Sequence, residues 1–139
     1  MWPVNFEQRL HAWGVLRDSV QHASVDQALA EVNAWWFHAP WRAYHLHWDD
    51  RPNWPDPWEL LSDNIYCDLA RGLGILYTIT LLDRADLQNS VLAESDQGNL
   101  VLVEGGKYIL NWGRDLELNT RLQPSKHHIA QREVKQQLY

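Results

Sequence analysis

The chain has 139 residues, 45% of them hydrophobic, with one cysteine and a net charge of −6. That length predicts a single domain able to bury a sizeable core, and the lone cysteine excludes an internal disulfide and a thiolate metal cluster. Lysine and arginine are nowhere concentrated, so neither a phosphate-tracking surface nor a nucleic-acid partner is expected. Residues 1–9 show neither the basic start nor the apolar stretch of a secretory leader, and the longest apolar run, 73–82, is about half a membrane span. The expected setting is therefore the cytoplasm of the producing cell or a virion assembled there, with no membrane association and no cofactor. Nine tryptophans stand out, six of them at positions 35, 36, 41, 48, 54 and 58.

In chain order, residues 6–22 predict a helix with Leu10 and Trp13 on its apolar stripe, weakened by Gly14. A second helix starts at Ser24, where Ser24 and Gln27 form a capping box. Val25, Leu29, Val32 and Trp36 give it a buried face, and Pro40 ends it. Residues 39–55 read as a loop of Trp, Pro, His and Asp, with a short extended piece at Tyr44-His45-Leu46-His47. The next helix has clear start signals: Asp56 as N-cap, Pro57 in the first turn and Glu59 closing a capping box. Its apolar positions Leu61, Ile65, Leu69 and Leu73 recur every four residues, and Gly72 and Gly74 are expected to stop it.

Residues 75–82, with Tyr77, Thr78, Ile79 and Thr80, read as a buried strand. A polar connection, 83–98, follows. Residues 99–104 and 107–112 predict two strands joined by a two-residue Gly105-Gly106 turn, and 116–122 a further strand. From Pro124 on, Ile129, Val134 and Leu138 trace a weak helical period, so 1–122 is read as one domain and 123–139 as a tail or docking helix. Helices first and an antiparallel hairpin after them make an α+β fold.

This order resembles the transglutaminase-like core of the papain-like superfamily. The resemblance is carried by 28–35 (Ala-Leu-Ala-Glu-Val-Asn-Ala-Trp), by Leu69-Ala70-Arg71-Gly72-Leu73-Gly74-Ile75, and by the hairpin at 100–112. In that family a cysteine opens the central helix, a histidine lies on a following strand and an aspartate on the next. A helix N-terminus favours the thiolate and a neighbouring imidazole completes its activation. Aligned on Leu73-Gly74-Ile75, the nucleophile position falls at Trp58, the histidine position at Asn99 or Leu100, and the aspartate position at Asn111. The resemblance then implies a pseudoenzyme with a binding or assembly role, of the kind found among tailed-phage accessory or virion proteins, whose partner is another protein or a second copy.

A second alignment puts Cys67 at the nucleophile position, since Cys67-Asp68-Leu69-Ala70-Arg71 is similar to the run that follows the family's cysteine. It implies a cysteine hydrolase or acyltransferase. It requires Asp63-Asn64 to break the helix, leaves less than two turns before a strand at Ile75, and finds no histidine on the hairpin. The base would come from His38, His45, His47, His127 or His128. A buried cysteine acting as a small apolar side chain is the commoner role.

Two further constellations are readable. In an extended segment His45, His47 and Asp49 share one face, as a two-histidine, one-carboxylate metal site requires; a solvated polar loop is the plainer reading. Trp41, Trp48, Trp54 and Trp58, with Tyr44, supply a sugar-stacking platform, a protein-binding surface or core filling. Asp68 and Arg71 are spaced to pair on the helix surface, and Gly72-Leu73-Gly74 does not have the pattern of a phosphate loop.

Overall fold

A computed structural model describes residues 2–113, 117–118 and 127–138. The fold is α+β: the described residues form five α-helices, a short 3-10 helix at Trp48–Asn53, and a five-stranded antiparallel sheet in the order β4-β3-β2-β1-β5. The elements are α1 (Phe6–Val20), α2 (Val25–Phe37), α3 (Pro57–Asp63), α4 (Asp68–Leu82), β1 (Val91–Ser95), β2 (Gly98–Val103), β3 (Tyr108–Leu110), β4 (Glu117–Leu118), β5 (His128–Ala130) and α5 (Gln131–Leu138). Among the described residues no helix is long and apolar enough to cross a membrane.

Capping chemistry explains the first three helices. Asn5 accepts from Gln8 N to open α1, and Ser24 accepts from Gln27 N to open α2. Gln27 turns its side chain to Glu31 rather than back to the cap. The box at α3 is reciprocal: Asp56 accepts from Glu59 N at 2.8 Å while Glu59 accepts from Asp56 N at 3.2 Å.

Two expectations fail together at the centre. The helix begun at Pro57 does not run on to Leu73, and 75–82 is not a strand. Asn64 takes the left-handed conformation (φ 55°, ψ 38°) and its amide closes α3 on Leu60 O. Ile65 and Tyr66 run on to Cys67, and a new helix, α4, carries on to Leu82. Twelve of its fifteen residues are buried. A helix covered all round has no polar face, so the run Ile75–Leu82 has no helical hydrophobic stripe and reads like a buried strand. Nor do Gly72 and Gly74 stop a helix. A Cβ on Gly74 would lie 2.6 Å from the Trp36 ring, and one on Gly72 would lie 2.7 Å from Leu92 Cδ1 and 3.2 Å from Asn111 Nδ2. Each glycine marks a place where a neighbour sits against the bare α4 backbone.

α4 is the axis of the core. Leu92, Val101, Val103 and Leu110 face it from the sheet, and Leu29, Val32 and Trp36 from α2. Trp13 Nε1 of α1 and Trp36 Nε1 of α2 both donate to Thr78 Oγ1, at 2.9 and 3.0 Å, and that hydroxyl donates to Gly74 O at 2.7 Å. One threonine thus satisfies the two buried indoles and ties three helices together.

The stretch 83–98, read as a polar connection, contains β1. Only Leu92 is fully buried along that strand, which left its alternation faint. The hairpin between β2 and β3 forms in the register Val101↔Leu110, Leu102↔Ile109, Val103↔Tyr108. Its turn spans Glu104 to Lys107 rather than two residues, with Glu104, Gly105 and Gly106 all at positive φ. Of the strand expected at 116–122, Glu117 and Leu118 form β4; the rest, with the start of the segment expected from Pro124, lies outside the described residues. Further on, β5 pairs with β1 (Leu92↔Ile129), and Val134 and Leu138 of α5 join the core, so residues 128–138 are built into the same sheet and core as the helices.

Candidate functional site

The site lies at the N-terminus of α4. Cys67 is the N-cap of that helix, extended (φ −89°, ψ 180°), and its Sγ accepts from Ala70 N at 3.4 Å. A second backbone donor comes from the 39–55 segment: Leu46 N reaches the same sulfur at 3.3 Å. Trp41 forms a bridge with Tyr66, and Arg42 N donates to Tyr66 O at 2.7 Å, which anchors this segment beside α4. Tyr66 is itself wedged edge-on against Trp2 and Trp36, with its hydroxyl on Leu60 O. Burial there pushes the Tyr66 hydroxyl pKa well above the ordinary tyrosine value.

A hollow of about 230 Å³ opens over the sulfur, lined by Trp41, Ala43, Tyr44, Leu46, Cys67, Asp68, Leu69 and Asn99. Cys67 itself is 4% exposed, whereas Trp41 and Tyr44 on the rim are 63% and 86% exposed. Tyr44 adopts a left-handed backbone (φ 57°), which is strained for a bulky residue. Among the described residues no histidine lines the hollow.

Asparagines and one aspartate build the sheet side of the site. Asp68 Oδ2 accepts from Asn99 N at 2.6 Å and from Asn99 Nδ2 at 3.1 Å. Asn99 Oδ1 in turn accepts from Trp48 Nε1 at 2.7 Å. Asn111, held at φ 69° just beyond β3, donates from Nδ2 to Asn99 O (2.7 Å) and Asp68 O (2.8 Å) and accepts from Arg71 Nε (2.8 Å). Asn33 Oδ1 of α2 receives the Asn111 amide at 2.8 Å. The surface pair expected between Asp68 and Arg71 is therefore replaced by a network in which Asn111 stands between them. Burial pulls the Arg71 pKa below its ordinary value, and the adjacent Asp68 carboxylate acts in the opposite direction.

Each residue singled out from the sequence has a definite place. Trp58 is not at the head of the sheet-packed helix; it lies in the first turn of α3, edge-on to Trp13. Cys67 is the residue that caps the sheet-packed helix. The helix it opens is fifteen residues long, so the objection that too few turns would remain falls with the misread strand. On β2, strand alternation puts Asn99, Val101 and Val103 on the α4 face and Leu100 on the other, and Asn99 rather than Leu100 lines the hollow with Cys67. Asn111 lies in the same network.

The four tryptophans of the expected surface are split. Trp41 is exposed on the hollow, Trp48 and Trp54 pack on each other with centroids 5.2 Å apart, and Trp54 is buried with Nε1 on His47 O. Nor is 44–47 an extended strand, since Tyr44 turns it. His45 is half-buried, His47 and Asp49 are exposed, and among the described residues no three His, Cys, Asp or Glu side chains are placed to hold a metal ion. His38 caps α2 beside Phe37, and His128 is exposed on β5. His127 lies flat on Trp48 (5.5 Å, 7°) with Nδ1 3.1 Å from Glu94 Oε1.

No protein-family model, curated protein or solved structure matches the chain.

Missed by sequence reasoning were Asn33 and the Trp48–Asn99 link. Asn33, a polar residue on the apolar face of α2 at one turn from Leu29, was a readable signal of a buried hydrogen-bond partner.

Proposed function

We propose that this chain is a transglutaminase-like domain that has retired from catalysis and uses the hollow over Cys67 to bind a protein partner. The observation that carries the reading is Asn99. It is the residue that the sheet contributes to the hollow of Cys67, where an acid–base group would be needed, and an amide takes up no proton near neutral pH. Both ends of that amide are already engaged, by Trp48 and by Asp68. Cys67 has the helix N-terminus but lacks an imidazole partner in its hollow, and a thiol so placed is a nucleophile without its activating base.

The rim supports binding in its place. Trp41 and Tyr44 present large exposed rings around an apolar floor of Leu46 and Leu69, and tryptophan and tyrosine are the residue types that concentrate binding energy at protein interfaces. The hollow accommodates one apolar or aromatic side chain of the partner. A phage accessory or virion setting rests on analogy of fold alone.

The test pairs chemistry with binding. A p-nitrophenyl ester should be hydrolysed no faster by the wild type than by Cys67→Ser, and Trp41→Ala with Tyr44→Ala should abolish partner co-purification without lowering Tm. An acyl-enzyme burst that disappears in Cys67→Ser would overturn the reading and establish the cysteine hydrolase or acyltransferase instead.

A further inference from the structure

Given the hollow over Cys67 as the binding site proposed above, its walls also specify what the partner carries. Asp68 is the only Asp, Glu, Lys, Arg or His among the residues lining it. It is the first residue of α4, half-buried, and its carboxylate is fixed by neutral donors. Oδ2 accepts from Asn99 N at 2.6 Å and from Asn99 Nδ2 at 3.1 Å, and Oδ1 accepts from Asn111 Nδ2 at 3.3 Å. A carboxylate offers about four acceptor positions, so Oδ1 keeps room for a further donor.

Among the described residues no cation pairs with Asp68. Arg71, one turn along α4, sends Nε to Asn111 Oδ1 at 2.8 Å, and its guanidinium lies over the Phe37 ring at 5.5 Å. Leu46 and Leu69, with the exposed rings of Trp41 and Tyr44, make most of the remaining wall. An apolar or aromatic side chain seated against them covers Asp68 and takes it out of water. An ionised carboxylate so covered is costly unless a counter-charge arrives with the group that covers it.

We propose that the partner presents a basic protein surface, in which the apolar or aromatic anchor is flanked by a lysine or arginine. The anchor rests on Leu46 and Leu69, and the cation meets Asp68 Oδ1 at the edge of the hollow. The rings of Trp41 and Tyr44 favour the same sign of charge, since aromatic faces attract cations. So does the chain as a whole. At a net charge of −6 its field draws in a basic partner and repels an acidic one, a second copy of this chain included.

The probes are three end-blocked peptides, Gly-Lys-Phe-Lys-Gly, Gly-Gln-Phe-Gln-Gly and Gly-Glu-Phe-Glu-Gly, titrated into the full chain and followed by amide NMR shifts. The lysine peptide should give saturable shifts at Leu46, Cys67, Asp68 and Asn99. It should bind about tenfold tighter than the glutamine peptide, with the glutamate peptide weakest. That preference should shrink as sodium chloride rises from about 50 to about 500 mM. Asp68→Asn should abolish the preference while leaving affinity for the glutamine peptide within about twofold; its Tm is measured alongside, and the wild-type ranking decides even if this variant fails to fold. Equal binding of the lysine and glutamine peptides, a preference for glutamate, or a lysine preference that survives in Asp68→Asn overturns the basic partner and leaves the hollow a binding site. Shifts at none of these residues with any peptide overturn both readings. Concentration-dependent shifts at the same residues without peptide assign the hollow to a second copy and overturn the basic partner.

Discussion

Replacing Thr78 by valine preserves the shape of the side chain and removes the one acceptor shared by Trp13 Nε1 and Trp36 Nε1. Both indoles are fully buried (0% and 1% exposed), so neither N–H regains a water partner. An unsatisfied buried donor costs about 1–3 kcal/mol, so two of them cost roughly 2–6 kcal/mol, against a total stability on the order of 5–15 kcal/mol. The lost bond from Thr78 Oγ1 to Gly74 O adds little, since such back-bonding contributes weakly to a helix. For a chain of this size the expected fall in Tm is about 10 °C. Thr78→Ser is the control: it keeps the hydroxyl, removes a methyl and should cost about 1 kcal/mol. Urea unfolding followed by far-ultraviolet circular dichroism measures both variants. If Thr78→Val sits within about 0.5 kcal/mol of wild type, or if Thr78→Ser is equally damaging, the shared acceptor is not what holds these helices together.

Two helical glycines should respond to alanine with opposite signs. At Gly74 a methyl meets three Trp36 ring carbons at 2.6–2.8 Å; overpacking of about 3 kcal/mol outweighs the gain in helix propensity of about 1 kcal/mol, for a net loss near 2. At Gly14 the nearest atom is an Arg17 nitrogen at 3.9 Å, so alanine should stabilise by up to about 1 kcal/mol; equal effects in denaturant melts would contradict the packing at Gly74. Tyr108 donates to Asp26 Oδ1 at 2.7 Å, and that bond, with burial and the carboxylate charge, pushes the phenol from 10.0 up to about 12. A raised folded-state pKa stabilises fully below the unfolded value and is lost as pH climbs through the folded one. The wild type should therefore lose this contribution between about pH 10 and 12, and Tyr108→Phe should show a flatter melting profile over that window.

Local chemistry was legible where a side chain has one job. Asp56, Pro57 and Glu59 announce the start of α3, Ser24 that of α2, and Gly105-Gly106 a reversal between strands. What failed was reading the middle of the chain, where residues are covered on every side. Ile75–Leu82 is rich in β-branched and aromatic residues, and burial all round removed the polar face that distinguishes a helix. The stop at Asn64 was also hard to see, because it depends on a left-handed backbone and on Trp2 Nε1 holding Asn64 Oδ1 at 2.7 Å across the fold. These two misreadings moved the head of the central helix from Cys67 to Trp58. The asparagine network was visible as residues but not as a network: Asn33, Asn99 and Asn111 are far apart in sequence, and only the packing of α2 and the hairpin around α4 gathers them.

The sheet order has a consequence for how the protein is made. β1 is flanked by β2 on one side and by β5 on the other, and α5 lies against α4. While a ribosome is still translating the residues before His128, β1 keeps an unpaired edge and the central helix an uncovered side. Pairing of Val91 with Ala130 must wait for the intervening polypeptide to emerge. The nascent chain is thus exposed to edge-to-edge association until β5 and α5 arrive.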